Sequence, residues 1–200
     1  IIPICLKDMP CPMRHIGIIQ ETYKEKTLEV LQNHPYQLIE DIDGIGFKTA
    51  DELALKLGGS KESPERLKAA VLYSVKRGCF DSGSTYMLYD EIKKAYHKNI
   101  GYIDESVFNE YLETLVDEGF VIQEGEFYYD KELYDSEEII SSFLKKMNSY
   151  PEEHYDEKEV ERLLTNFQDK FGIEYSKKQK EAIDYFLKYP MMILTGGPGT

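Results

Sequence analysis

The sequence predicts a mainly α-helical protein with a small β-ribbon. Apolar residues recur at helical spacing through much of the chain from Ile18 onward. Two short alternating segments, residues 120–123 and 127–130, flank Glu124-Gly125-Glu126, which is a plausible tight turn of a hairpin. Near the end of the chain, the apolar run 191–194 has the length of a buried strand, so we expect a local α/β element there.

The composition excludes several classes of protein. Of 200 residues 42% are apolar, which is enough for ordinary cores and excludes a wholly disordered chain. No run approaches the roughly 18–20 apolar residues of a membrane span, so no membrane partner is expected. Cys5, Cys11 and Cys79 show no CxxC spacing and the histidines are scattered, which argues against a disulfide framework and a metal site. We expect a cytoplasmic monomer.

The acidity of the chain is confined to one block. The net charge is −13, yet residues 101–160 alone carry −14 whereas residues 61–100 carry +3. A local phosphate contact outside the block is therefore possible, although long-range attraction of DNA would be weak. Within the block a solvated surface, or a docking site for a protein partner, is expected rather than catalysis.

The first half of the chain predicts short helices separated by Gly and Pro signals. Residues 1–16 contain three prolines and no clear period, and are left unassigned. After a first helix, Asn33-His34-Pro35 is a stop-and-restart signal. Further helices are predicted at residues 36–42, 47–57 and 65–77. The stretch 78–84 predicts a loop, so the first region is placed at residues 17–80.

The second half predicts two further regions. Residues 81–150 show helices at 87–96 and 104–118 before the ribbon, an order typical of a winged-helix unit, and a helix at 136–147 after it. An acidic connector follows. Residues 151–200 then show helices at 159–171 and 176–187 that lead into the apolar run and Thr195-Gly196-Gly197-Pro198-Gly199-Thr200.

The segment from Ile42 to Ala50 predicts two helices joined by a glycine-hydrophobic-glycine turn. Glycine permits a positive φ and close approach of another backbone, and the second helix would present N–H groups to a phosphate. The candidate DNA-binding residues are Gly44, Gly46, Phe47, Lys48 and Thr49. The alternative is a connection that only packs, and Asp41, Asp43, Asp51 and Glu52 support it because they would repel a phosphate.

The end of the sequence predicts a phosphate-binding loop after a strand. Gly196 fits the first glycine of G-x-x-x-x-G-K-[ST], and residues 197–200 fill the four variable positions. A glycine-rich turn without a ligand is the alternative. Before the strand, Ser176 and Gln179 form an S-x-x-Q capping box, which by itself explains Gln179. If a nucleotide lies beyond the strand, the Gln179 amide could also bond to an adenine edge.

These segments occur together in a known family. The run Thr27-Leu28-Glu29-Val30-Leu31-Gln32-Asn33-His34-Pro35-Tyr36-Gln37-Leu38, followed by Gly44-Ile45-Gly46-Phe47-Lys48-Thr49-Ala50-Asp51, resembles the helix-hairpin-helix region of ATP-dependent RecD-like DNA helicases, relatives of the exodeoxyribonuclease V alpha subunit. Residues 176–182 resemble the glutamine motif of that family, and residues 195–200 resemble the opening of its motif I. The resemblance runs from about Gly17 to Thr200, and the winged-helix portion matches in position more than in residues.

The resemblance implies a function that the composition and motifs alone do not establish. The family moves 5′ to 3′ along single-stranded DNA, driven by ATP and Mg²⁺, so single-stranded DNA or a 5′ overhang is the implied partner. In the family the glutamine contacts adenine and motif I holds phosphate, roles that fall here to Gln179, Gly196, Gly197, Pro198, Gly199 and Thr200. The fold implied is a helix-hairpin-helix region, a winged-helix-like unit and the first helices and strand of a RecA-like motor domain.

Because the later motor motifs do not follow, we expect the N-terminal region of a DNA repair or recombination helicase, without ATPase activity of its own. The alternative is a non-catalytic protein-interaction module.

Overall fold

Ten α-helices and a three-stranded antiparallel sheet make up the part of the chain that the computed structural model describes, residues 13–101 and 104–197. This confirms the predicted mainly α class with a small amount of β structure. The chain divides into two units, the first ending at Asp135 and the second beginning at Ser136. No described helix combines the length and the apolar character needed to cross a bilayer.

The first unit contains seven complete helices and all three strands. The helices are α1 (Met13–Tyr23), α2 (Thr27–Asn33), α3 (Leu38–Asp41), α4 (Phe47–Lys56), α5 (Pro64–Ser82), α6 (Tyr89–Ile100) and α7 (Glu105–Asp117). The strands are β1 (Tyr86–Leu88), β2 (Val121–Glu124) and β3 (Phe127–Asp130). Short 3-10 turns at Lys24–Lys26 and Pro35–Gln37 precede α2 and α3.

Helix α5 runs through a segment that the sequence predicts as a loop. Residues 78–82 are helical, and the helix ends only at Gly83, whose φ is +67°. Gly78 lies within the helix, and a Cβ atom there would lie 2.0 Å from the Met87 sulfur, so a side chain at this position would displace Met87. The prediction of a loop at 78–84 is therefore wrong for most of its length.

The sheet has one strand more than predicted. Residues 86–88 form β1, so the helix predicted at 87–96 is α6 and begins at Tyr89. β1 pairs antiparallel with β3, with Met87 opposite Tyr128, and β3 pairs with β2 to give the order β1-β3-β2. A three-residue strand depends on its distant partner, which a local hydrophobic pattern does not reveal.

A continuous core connects the two sides of α5. Val71 and Val75 of α5 are fully buried. Leu31, Leu38 and Phe47 belong to the same cluster on one side, as do Ile92, Tyr96 and Phe108 on the other. The predicted regions 17–80 and 81–150 both contribute residues to this core. The bounds of the four predicted regions stay predictions.

The second unit contains the remainder of α8 (Lys131–Asn148), α9 (Glu157–Phe171) and α10 (Lys177–Lys188). None of these three helices has a buried residue among those described. The run 191–194 forms no strand, and Ile193 and Leu194 are 83% and 74% exposed. The prediction of a buried strand here is wrong for the described residues, because a strand exists only through hydrogen bonds to a neighbouring strand and the described part of this unit has none.

Candidate nucleic-acid interface

The turn between α3 and α4 is held by two buried isoleucines. Ile42 and Ile45 are each 3% exposed, and the Ile45 N–H donates to the Ile42 carbonyl oxygen at 3.1 Å. Gly44 lies between them, exposed to solvent, with a φ of +87°. An L-residue rarely adopts that conformation, so the turn requires glycine at this position.

Gly46 is needed for a different reason. Its φ of −93° and ψ of 175° are accessible to any residue, so the expectation of a positive φ is wrong here. A Cβ atom at Gly46 would lie 3.0 Å from the Tyr73 hydroxyl oxygen of α5. The glycine thus permits a close approach of the turn to α5, and the turn presents backbone where a side chain would otherwise project.

The first turn of α4 presents N–H groups with no side-chain cap. Gly46 is the N-cap residue, and its carbonyl oxygen accepts from the Thr49 and Ala50 N–H groups at 3.1 and 3.2 Å. Phe47 and Lys48 lie in the first turn, so no earlier residue of the helix supplies a carbonyl oxygen to accept from their N–H groups. Such N–H groups make the start of a helix attractive to an anion.

The side chains of this turn differ in what they can offer a ligand. Phe47 is 1% exposed and its ring stacks on Tyr36 at 5.7 Å, so only its backbone can reach a ligand. The Lys48 side chain is exposed and Thr49 is half-buried. Lys48 is therefore the exposed cation of this turn, whereas Phe47 can offer only its backbone N–H group.

The acidic residue that follows the turn in α4 is neutralised by a buried ion pair. Arg66 of α5 donates from Nε and Nη2 to the two oxygens of Asp51, at 2.7 and 2.8 Å. The Tyr36 hydroxyl donates to Asp51 Oδ1 at 2.7 Å, and burial together with this hydrogen bond raises the pKa of Tyr36 well above its usual value. Asp51 thus holds α4 against α5 and presents little charge to the surface.

The other acids around the turn are closer to solvent. Asp41 is exposed and accepts from the Tyr23 hydroxyl at 2.7 Å and from Gln37 Nε2 at 2.9 Å. Asp43 is exposed and Glu52 is half-buried. The repulsion of a phosphate that the sequence predicts is therefore reduced at Asp51 and retained at Asp43.

In the second unit, three of the six predicted nucleotide-binding residues line one cleft. Ser176 caps α10: its Oγ accepts from the Gln179 N–H, and Gln179 Oε1 accepts from the Ser176 N–H at 2.8 Å. This confirms the predicted capping box. A cleft of about 740 Å³ is lined by Gln179 together with Gly196 and Gly197. Pro198, Gly199 and Thr200 lie outside the described residues.

Sequence reasoning missed the residues that position the turn. Arg66 and Tyr36 each lie 15 residues from Asp51, so no local motif relates them. A charged residue on the inner face of an amphipathic helix is the only signal that Arg66 offered. Among residues 13–101 and 104–197, no group of three or more His, Cys, Asp or Glu side chains could hold a metal ion.

The turn therefore joins α3 and α4 through a glycine-hydrophobic-glycine segment, with backbone N–H groups at the start of the second helix. Residues 2–86 match the family model described as the ATP-dependent RecD2 DNA helicase HHH domain. The match supports the interpretation of the chain as a RecD-like helicase N-terminal region. It begins at residue 2, so it includes most of residues 1–16, which the sequence pattern leaves unassigned.

Proposed function

We propose that the chain is the N-terminal region of an ATP-dependent DNA helicase that moves 5′ to 3′, acts in DNA repair or recombination, and is related to the exodeoxyribonuclease V alpha subunit. The observation that carries the proposal is the match of residues 2–86 to the RecD2 helicase HHH domain. The proposed location is the cytoplasm, because the three cysteines have the spacing of neither a disulfide framework nor a zinc site. A monomer is the proposed state.

In this proposal the hairpin binds a DNA phosphate. Gly44 and Gly46 allow the strand to approach, the Phe47 and Lys48 N–H groups donate to phosphate oxygens, and the Lys48 ammonium group and Thr49 hydroxyl add side-chain donors. Such contacts read the backbone and carry no base specificity. Single-stranded DNA or a 5′ overhang is the proposed partner, and binding should weaken as salt rises.

The cleft of the second unit is the proposed start of the nucleotide site. Gln179 uses Oε1 for the helix cap, which leaves its amide N–H₂ to donate to an adenine acceptor. Gly196, Gly197, Pro198, Gly199 and Thr200 would place backbone N–H groups around phosphate. ATP with Mg²⁺, when bound, supplies the phosphoryl transfer that drives translocation.

We further propose that the 200 residues alone hydrolyse no ATP. The lysine and hydroxyl positions of G-x-x-x-x-G-K-[ST] fall after Thr200, so no residue of this chain fills them. Without them the transition-state charge has no stabiliser. Steady ATP turnover that remains with the purified chain through several columns would contradict this.

A second candidate is a non-catalytic protein-interaction module in which the hairpin only packs. The burial of Ile42, Ile45 and Phe47 favours it, because much of the turn serves the core. The acidic residues 101–160 would then carry the partner site.

Two charge reversals on one helix distinguish the candidates. Lys48 and Lys56 are both exposed and lie at opposite ends of α4. Fluorescence anisotropy with a labelled single strand, at about 50 and 200 mM salt, should show that Lys48→Glu weakens binding by about tenfold, as loss of one charge-assisted hydrogen bond predicts. Lys56→Glu should have a much smaller effect. Equal effects of the two changes, or none, would favour the interaction module.

A further inference from the structure

The three-stranded sheet has an apolar face that remains partly exposed. Directly opposed residues of antiparallel strands share a face, and Tyr86 lies opposite Tyr129, which lies opposite Ile122. Leu88 and Glu124 both lie opposite Phe127. The outer sheet face therefore consists of Tyr86, Leu88, Ile122, Glu124, Phe127 and Tyr129. Met87 and Val121, on the other face, are buried in the core.

Aromatic rings form a row across the outer sheet face. The Tyr86 ring lies 4.7 Å from Phe127 and 5.6 Å from Tyr129, and Tyr134 at the start of α8 extends the row at 5.3 Å from Tyr129. Tyr86 and Leu88 nevertheless remain 39% and 37% exposed. The rings thus contact one another at their edges and leave apolar surface open to a ligand.

Carboxylates surround these rings. Glu124 shares the face and accepts from the Tyr134 hydroxyl at 2.7 Å, and Glu126 is exposed in the turn between β2 and β3. Residues 121–138 include seven acidic side chains and one basic one, Lys131, which pairs with Asp135. This charge disfavours a nucleic acid and favours a cation.

Other aromatic rings of the first unit already have a cation over them. Arg77 lies 4.9 Å from the Phe80 ring centroid, and Lys93 lies 5.9 Å from that of Tyr89. In the part of the chain that the structure describes, no Lys or Arg lies over Tyr86 or Phe127. These two rings can accept a cation from another molecule.

We propose that the outer sheet face binds a basic segment of a partner protein. Arginine or lysine side chains of that segment lie over Tyr86 and Phe127 and pair with Glu124 and Glu126, while its apolar residues cover Leu88. Aromatic faces beside carboxylates are the surroundings that a guanidinium group prefers. The complementary charge fixes the orientation of the partner and raises its association rate. This site is independent of the hairpin.

A synthetic peptide tests the proposal on the whole 200-residue chain. The probe is a fluorescein-labelled nonapeptide of alternating Arg and Leu, and its matched control alternates Glu and Leu. Anisotropy should show saturable binding of the Arg peptide alone. Tyr86→Leu, which removes the ring and keeps an apolar side chain, should weaken binding about two- to fivefold, the usual range for an exposed cation–π contact. Tyr86→Phe should bind within experimental error of the parent chain.

Charge variants separate this site from general attraction to an acidic protein. Glu126→Gln should weaken the Arg peptide, whereas Glu152→Gln, an exposed acid in the second unit, should not. Glu126 is exposed in a turn, so this comparison remains valid even if Tyr86→Leu unfolds. Equal effects of the two changes, or equal binding by Tyr86→Leu and Tyr86→Phe, would overturn the proposal.

Discussion

Arg66 of α5 and Asp51 of α4 form a buried bidentate ion pair, with side chains only 7% and 12% exposed. The pair joins the helix that begins at the hairpin to the long helix that also contacts the sheet. A buried pair adds little net stability over apolar residues, but removal of one partner leaves an uncompensated charge. The position of the α4 N-terminus therefore depends on both residues.

The first prediction concerns this pair. Arg66→Met should lower the free energy of unfolding by roughly 3–5 kcal/mol, because Asp51 is then buried without its cation. Urea denaturation followed by circular dichroism measures the change. Arg77→Met, which breaks the exposed Arg77–Asp81 pair, should cost less than about 1 kcal/mol. The double change Arg66→Met with Asp51→Leu should recover part of the loss, because it removes the uncompensated charge but leaves the Tyr36 hydroxyl without its acceptor. An additive result would show that the two residues are not coupled.

A second prediction follows from the contact of Gly46 with Tyr73. Gly46→Ala should destabilise the protein by roughly 1 kcal/mol, since the new Cβ atom lies 3.0 Å from the Tyr73 hydroxyl oxygen. In a Tyr73→Phe background the next ring atom is 3.7 Å away, so most of the loss should disappear. Gly17→Ala in α1 is the control, because nothing lies within 4 Å of its Cβ and a helical Gly→Ala change should stabilise. The same cost of Gly46→Ala in both backgrounds would exclude this contact as its cause.

The contact of Gly78 with Met87 predicts a change of sign. Gly78→Ala should be destabilising in the parent chain, because its Cβ would lie 2.0 Å from the Met87 sulfur. In a Met87→Ala background the same change should stabilise by about 1 kcal/mol, the helix-propensity difference between Ala and Gly. Thermal or urea denaturation of the four proteins completes the cycle. If Gly78→Ala stabilises the parent chain as well, Met87 does not occupy that space.

The pH dependence of stability offers a fourth prediction. Burial and the hydrogen bond to Asp51 raise the pKa of Tyr36 above its ordinary value of 10.0. The folded state therefore holds the Tyr36 proton more tightly than the unfolded state does, so this contribution is complete below pH 10 and is lost as the pH rises above it. Tyr36→Phe should be less stable than the parent chain at pH 7 by roughly 1 kcal/mol. The difference should narrow between about pH 10 and 11.

Urea midpoints at several pH values measure this effect, with Tyr150→Phe as a control for loss of an exposed hydroxyl group. Burial also raises the pKa of Tyr96 to about 12, so the parent chain itself should lose stability over the same range. A constant difference between Tyr36→Phe and the parent chain across that range would contradict the assigned hydrogen bond.

Much of the fold could be predicted because its helices carry local signals. The amphipathic pattern of α4, the Ser176–Gln179 capping box and the β2–β3 hairpin depend on residues close together in sequence. β1 and the helical course through Gly78 could not be predicted, because each depends on a partner that lies elsewhere in the chain. At the hairpin, the glycines and Lys48 were visible in the sequence, whereas Arg66 and Tyr73 act through tertiary contacts.

The last prediction separates the hairpin from the ribbon as the route to DNA. Glu124 lies on the outer sheet face and Glu126 lies in the turn beside it, both within the acidic residues 101–160. Lys48 lies at the exposed start of α4. Neutralising both acids with Glu124→Gln and Glu126→Gln should leave single-strand binding unchanged or slightly stronger, because it relieves repulsion of phosphate without touching the proposed donors. Gly46→Val should weaken binding, since its side chain blocks the close approach of the strand to the turn. Anisotropy at two salt concentrations measures both, with the fold of each variant checked by circular dichroism. If the ribbon changes abolish DNA binding while Gly46→Val and Lys48→Glu bind as the parent chain does, the hairpin is structural and the proposed route to DNA is wrong.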